Sequence, residues 1–133
     1  MDEVEKTFGK VISRYTRAQA IQDRVLIDVS HMAWEAGIRF PVAVTVGVWN
    51  QCVKVPDEVK GQDEDGRLWD VVWMFRMVVR VLRPGSQKDA VIFRFHVRND
   101  NNEGIPPLVK LKATCTPGDG GEPVITILLP DED

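Results

Sequence analysis

Apolar positions along the chain change their period, and the changes mark the elements. Leu68, Val71, Val72, Phe75, Val78, Val79 and Leu82 recur at the three- and four-residue spacing of one helical face. They predict a helix from Arg67 to about Arg83, stopped by Pro84-Gly85. After Gly85 the period falls to two. Val91, Phe93, Phe95 and Val97 alternate with Ile92, Arg94, His96 and Arg98. Leu108 to Thr116 repeats the alternation, with Val109, Leu111, Ala113 and Cys115 inward and Lys110, Lys112 and Thr114 outward, and Val124 to Leu129 makes a third strand. Turns at 99–104 and 117–121 separate the three. The fold class expected is α+β with two layers: a C-terminal three-stranded antiparallel meander packed against the long helix, preceded by short helices and strands. A single globular domain over 1–133 is expected from the length.

The first half is more broken. Val4, Phe8, Val11 and Ile12 suggest a short helix or a packed arm. Thr16 is a good N-cap for a helix through Asp23, Val25 to Val29 reads as a buried strand, and Ser30 caps a second helix ending at Gly37. Phe40-Pro41 signals extended chain, continued by Val42-Ala43-Val44. Val42, Val44, Val46 and Val48 alternate like a strand, whereas Thr45, Val46, Trp49 and Val53 fit a capped helix. A helix from Val46 to about Lys54 is favoured, because Asn50, Gln51 and Lys54 then share its wet side and Pro56 closes it.

A 44% hydrophobic and 28% charged composition belongs to a folded protein rather than a disordered one. No apolar run is long enough to cross a bilayer, and the acidic start Met1-Asp2-Glu3 lacks a secretory pattern, so a cytoplasmic location is expected. Cys52 and Cys115 are expected to be buried as small apolar residues in a reducing compartment. No cofactor and no metal site are expected. His31 and Glu35 could share a helix face, but further ligands such as Asp28 or His96 stand in no zinc spacing. Gly61 to Gly66 imitates a calcium loop without its first carboxylate or its closing glutamate, and its acids better suit the start of a helix.

The net charge of −3 is unevenly spread. Residues 67–112 carry nine basic groups against four acidic ones, and residues 113–133 carry five acids and no base. Three candidate surfaces follow. Trp69, Trp73, Arg76, Arg80 and Arg83 form a second stripe along the long helix, and Trp and Arg are the residues most enriched in interface hot spots. Alternatively both indoles pack under the N-terminal segment, with the arginines stacked on them or paired with Asp70 and the acidic tail. Arg94, His96, Arg98, Lys110 and Lys112 share the outer strand face, as an anion or nucleic-acid contact would, although no aromatic interleaves them and the acidic tail could neutralise them. Arg14, Tyr15, Arg17 and Gln19, near Asp28, could line a nucleotide or phosphate cleft.

Tyr15 to Ile21 and Val25 to Ser30 resemble the opening of a family of uncharacterised small bacterial proteins. Phe40-Pro41-Val42-Ala43, Gly61 to Trp73, Arg98-Asn99-Asp100, Leu111-Lys112-Ala113 and the ending Leu129 to Asp133 are similar to its later motifs. Arg24 stands where the resemblance implies a glycine in most members, altering the turn after Asp23. The family is a domain of unknown function carried on plasmids, integrative elements and phages, often near anti-restriction genes, and it transfers no catalytic residues. The function expected is non-enzymatic binding of a protein partner in the cytoplasm, as a mobile-element accessory or anti-defence factor acting on a host complex. The alternatives are a small enzyme acting on a nucleotide or phosphate-bearing substrate, and a nucleic-acid-binding module using the basic strand face.

Overall fold

A computed structural model describes residues 15–81 and 90–132, apart from the side chains of 80 and 81. Helix α1, Arg17–Gln22, starts with a capping box: the Thr16 hydroxyl accepts from the Gln19 amide at 3.1 Å, and the Gln19 side chain accepts from the Thr16 amide at 3.1 Å. It ends in a Schellman motif, with the Val25 amide donating to the Ala20 carbonyl and the Arg24 amide to the Ile21 carbonyl. That motif needs a left-handed residue, and here it is Arg24, at φ 60°. Helix α2, Ser30–Glu35, closes in the same way with Gly37 at φ 93°. Ser30 does not cap α2 as expected. Its hydroxyl donates to Asp28 Oδ1 at 2.6 Å and accepts from the Val42 amide at 3.0 Å, which ties together two strands instead.

One five-stranded sheet organises the chain: β1 Leu26–Asp28, β2 Val42–Thr45, β3 Ala90–His96, β4 Leu108–Pro117 and β5 Pro123–Leu128, in the order β1-β2-β5-β4-β3. The antiparallel pairs β3/β4 and β4/β5 match the expected alternation, but they are part of a larger sheet rather than a three-stranded meander. β2 lies parallel to β5, with Val42 opposite Ile125 and Val44 opposite Ile127. All four β2 residues are buried, as befits a strand covered on both faces. The expected buried strand at Val25–Val29 shrinks to three residues at a sheet edge, with Val25 outside it and 48% exposed.

Thr45 caps the next segment, its hydroxyl accepting from the Val48 amide at 3.1 Å. The favoured helix is therefore present, as helix α3, Val46–Val48, running into a π-helical turn over Trp49–Val53. Helix α4, Glu64–Val81, begins three residues before Arg67, because the Asp63 carboxylate accepts from the Gly66 amide at 2.6 Å and caps it early. Leu68, Val71, Val72 and Phe75 are buried against Phe93, Phe95 and the π turn. Each such side chain contributes roughly 1.5–3 kcal/mol. Val79, expected on that face, is 40% exposed, because the stripe outlasts the elements it packs on. Leu82 lies outside the described residues.

The opposite sheet face is half covered. Ala43, Thr45, Val124 and Leu128 are buried there, under α1 and the chain's end. Glu132 accepts from the Thr45 hydroxyl and the Leu129 amide, both at 2.8 Å, and the Lys112 ammonium donates to the Glu132 carbonyl at 2.6 Å. Ile92, Arg94, His96 and Lys110 on the same face remain exposed. Cys115, expected inside, is exposed, because the whole end of β4 from Cys115 to Pro117 is.

Candidate interaction surface

Trp69 and Trp73 occupy successive turns of α4 and stack, with centroids 5.6 Å apart and planes 15° from parallel. Trp69 packs partly on the core, and Trp73 is 37% exposed. The Arg76 guanidinium lies 5.6 Å from the Trp73 ring centroid. A second stack flanks the turn after α2, where Arg39 lies 4.0 Å from the centroid of Trp34, itself 57% exposed. Gly37 joins the two. A Cβ built there would come within 2.9 Å of Arg76 Nε, so only a glycine lets that guanidinium rest on the turn between Trp34 and Arg39. With Met77 40% exposed beside them, these residues make a surface of indole faces and guanidinium planes. Trp34 and Arg39 escaped the sequence reading because they lie outside the helical stripe. Among the described residues neither Arg76 nor Arg39 pairs with a carboxylate. The Arg80 side chain is not described, and Arg83 lies outside the described residues.

Arg67, at the other end of α4, also went unnoticed in the sequence. It is 5% exposed and donates to the Cys52 carbonyl at 2.9 Å, the Arg98 carbonyl at 2.7 Å, the Gln51 carbonyl at 3.4 Å and Asn99 Oδ1 at 2.6 Å. The π turn leaves the Gln51 and Cys52 carbonyls unpaired within the helix, and Arg67 satisfies them. Burial lowers its pKa from the ordinary value, while Cys52 and Asp70 oppose that shift. Burial also pushes the Cys52 thiol up to about 11. Asn99 donates to the Gln51 carbonyl at 2.9 Å, and Asn101 spans the Glu58 carbonyl and the Lys60 amide. The motifs Gly61 to Trp73 and Arg98-Asn99-Asp100 thus converge on a structural joint.

The basic strand face divides. Arg94 and Lys110 are direct register partners, exposed, with no carboxylate in ion-pair range among the described residues. His96 Nδ1 lies 2.8 Å from the Pro106 carbonyl, Lys112 is held by Glu132, and Arg98 donates to the carbonyls of Asn102 and Gly104. The tail meets this face through a peptide carbonyl, with its Glu132 carboxylate turned elsewhere.

The polar residues near Asp28 hold the fold together. Arg17 donates to Thr126 Oγ1 and the Ile125 carbonyl, both at 2.7 Å, and burial lowers its pKa. Tyr15 donates to Asp23, Gln19 completes the capping box, and Asp28 accepts from Ser30. Arg14 lies outside the described residues. His31 and Glu35 meet at 3.4 Å on an exposed helix face, and among the described residues no third metal-ligating group joins them. No helix among the described residues is long and apolar enough to cross a membrane.

No curated protein and no solved structure matches the chain. The sequence model of one family, described as "Family of unknown function (DUF6573)", matches residues 5–133. The chain belongs to that family.

Proposed function

We propose that this protein acts by binding another protein through the surface built from Trp34, Arg39, Trp73 and Arg76. The observation that carries this reading is the pair of cation–π stacks, one on α4 and one flanking Gly37, on which Arg76 rests, with the arginines free of carboxylate partners among the described residues. Stacking on an indole pre-arranges a guanidinium at little entropic cost, and both groups desolvate a large area on contact. The surface suits a partner presenting carboxylates beside apolar side chains. The enzymatic alternative draws less support, since Tyr15, Arg17, Gln19 and Asp28 each take part in caps and struts.

The setting we infer is the cytoplasm, where the protein serves a mobile genetic element by engaging a host defence complex. Support for that setting is the resemblance of its motifs to a family carried on such elements. Affinity capture from bacterial lysate tests the binding reading: the wild-type protein retains a defined partner, and Trp34→Ala and Arg76→Glu, each folded by circular dichroism, lose it. Retention undiminished by both substitutions would place binding elsewhere.

A further inference from the structure

β3 is the outer strand of the sheet, with β4 on one side and, among the described residues, no strand on the other. Such an edge offers unpaired N–H and C=O groups to another chain. Beside it α4 leaves a groove of about 370 Å³, walled by Asp70, Trp73 and Met74 from the helix and by Arg94, Phe95 and His96 from the strand. The two sides of the edge differ in charge. On the open sheet face Arg94 and Lys110 stand directly opposite each other, a like-charge pairing that destabilises a sheet unless an anion lies across it. On the helix side the groove is apolar at Trp73 and Met74, with Asp70 as its acid, and desolvation raises that carboxyl's pKa.

We propose that this edge accepts an extended segment of a partner protein as a sixth strand, in which acidic side chains alternate with apolar ones. Side chains alternate between the two faces of a strand. Every second residue of the incoming segment therefore lies on the open face beside Ile92, Arg94 and His96, with Lys110 one strand farther in, and these are the acids, placed to reach Arg94 and Lys110. The intervening residues face α4 and are apolar against Trp73 and Met74, with a basic residue beside Asp70. Backbone hydrogen bonds supply affinity and the alternating environments supply selectivity. This site shares Trp73 with the surface proposed above but is read through the β3 backbone, Arg94 and Lys110, so either can fail while the other stands.

The probe is a capped nonapeptide in which glutamate alternates with valine and the central valine is replaced by lysine. Titrated into the full chain, it should bind and slow amide hydrogen exchange at residues 90–96. Arg94→Glu or Lys110→Glu should weaken binding by about tenfold or more. N-methylation of alternate peptide amides on the edge-facing side removes donors while leaving every side chain in place, and it should abolish binding. Unchanged affinity for both N-methylated registers, or for a scrambled peptide with its glutamates contiguous, would overturn strand addition. So would a single-stranded oligonucleotide that binds more tightly and is lost with the same two substitutions, since that marks a nucleic-acid surface. The peptide variants leave the protein untouched and decide the matter even if a substituted chain does not fold.

Discussion

Arg67 and Arg76 stand nine residues apart on α4, which turns them to opposite sides of the helix, and they meet opposite surroundings. Arg67 is buried and spends its donors on the Gln51, Cys52, Arg98 and Asn99 oxygens. Arg76 rests on the Trp73 ring and the Gly37 backbone and, among the described residues, keeps its donors available. A guanidinium saturated by carbonyls is a structural strut, and one spread over an indole is prepared for a partner. Two of the motifs that carry the family resemblance, Gly61 to Trp73 and Arg98-Asn99-Asp100, meet at the first. The second is where recognition can take place.

The contrast breaks most visibly at Arg67. Arg67→Met nearly keeps the volume but strands the Cys52 and Arg98 carbonyls, and should cost about 3–5 kcal/mol in urea unfolding. A loss near zero would mean that water replaces the guanidinium and that the strut is dispensable. Gly37→Ala comes next. It forces a side chain into φ 93° and into the Arg76 guanidinium, so stability should fall by about 1–2 kcal/mol and partner capture should weaken with it. Arg76→Ala should lower stability little, by about 1 kcal/mol or less, while removing capture. Smallest is Arg24→Gly, which relieves a left-handed arginine at the end of α1. It should raise stability by about 0.5–1 kcal/mol and leave capture unchanged.

Elements with strong local periodicity were readable in the sequence. The stripe Leu68, Val71, Val72, Phe75 gave α4, and the alternation of Val91 to Val97 and Val109 to Ala113 gave β3 and β4 with the correct inward residues. The parallel pairing of β2 with β5 was not readable, because it joins segments about 80 residues apart in the chain and no local pattern records it. The early start of α4 turned on a single bond from Gly66 to Asp63. The acidic loop was still assigned to a helix start, for the right physical reason. Of the candidate surface, Trp73 and Arg76 were visible as a stripe, whereas Trp34 and Arg39 join it only through the packing of α2 on α4 at Gly37. Arg67 is legible only as the start of a helix, because nothing in one sequence distinguishes a buried arginine from a solvated one.

Site-specific photocrosslinking in cells tests the binding surface most directly. A benzophenone side chain replaces Met77, which is 40% exposed beside the two stacks, or Ile105, which is 83% exposed on the 97–107 loop. A partner seated on the Trp–Arg surface gives one discrete adduct from position 77, lost with Arg76→Glu, and none from position 105. Adducts from position 105 alone, or an adduct from position 77 that survives Arg76→Glu, would contradict it.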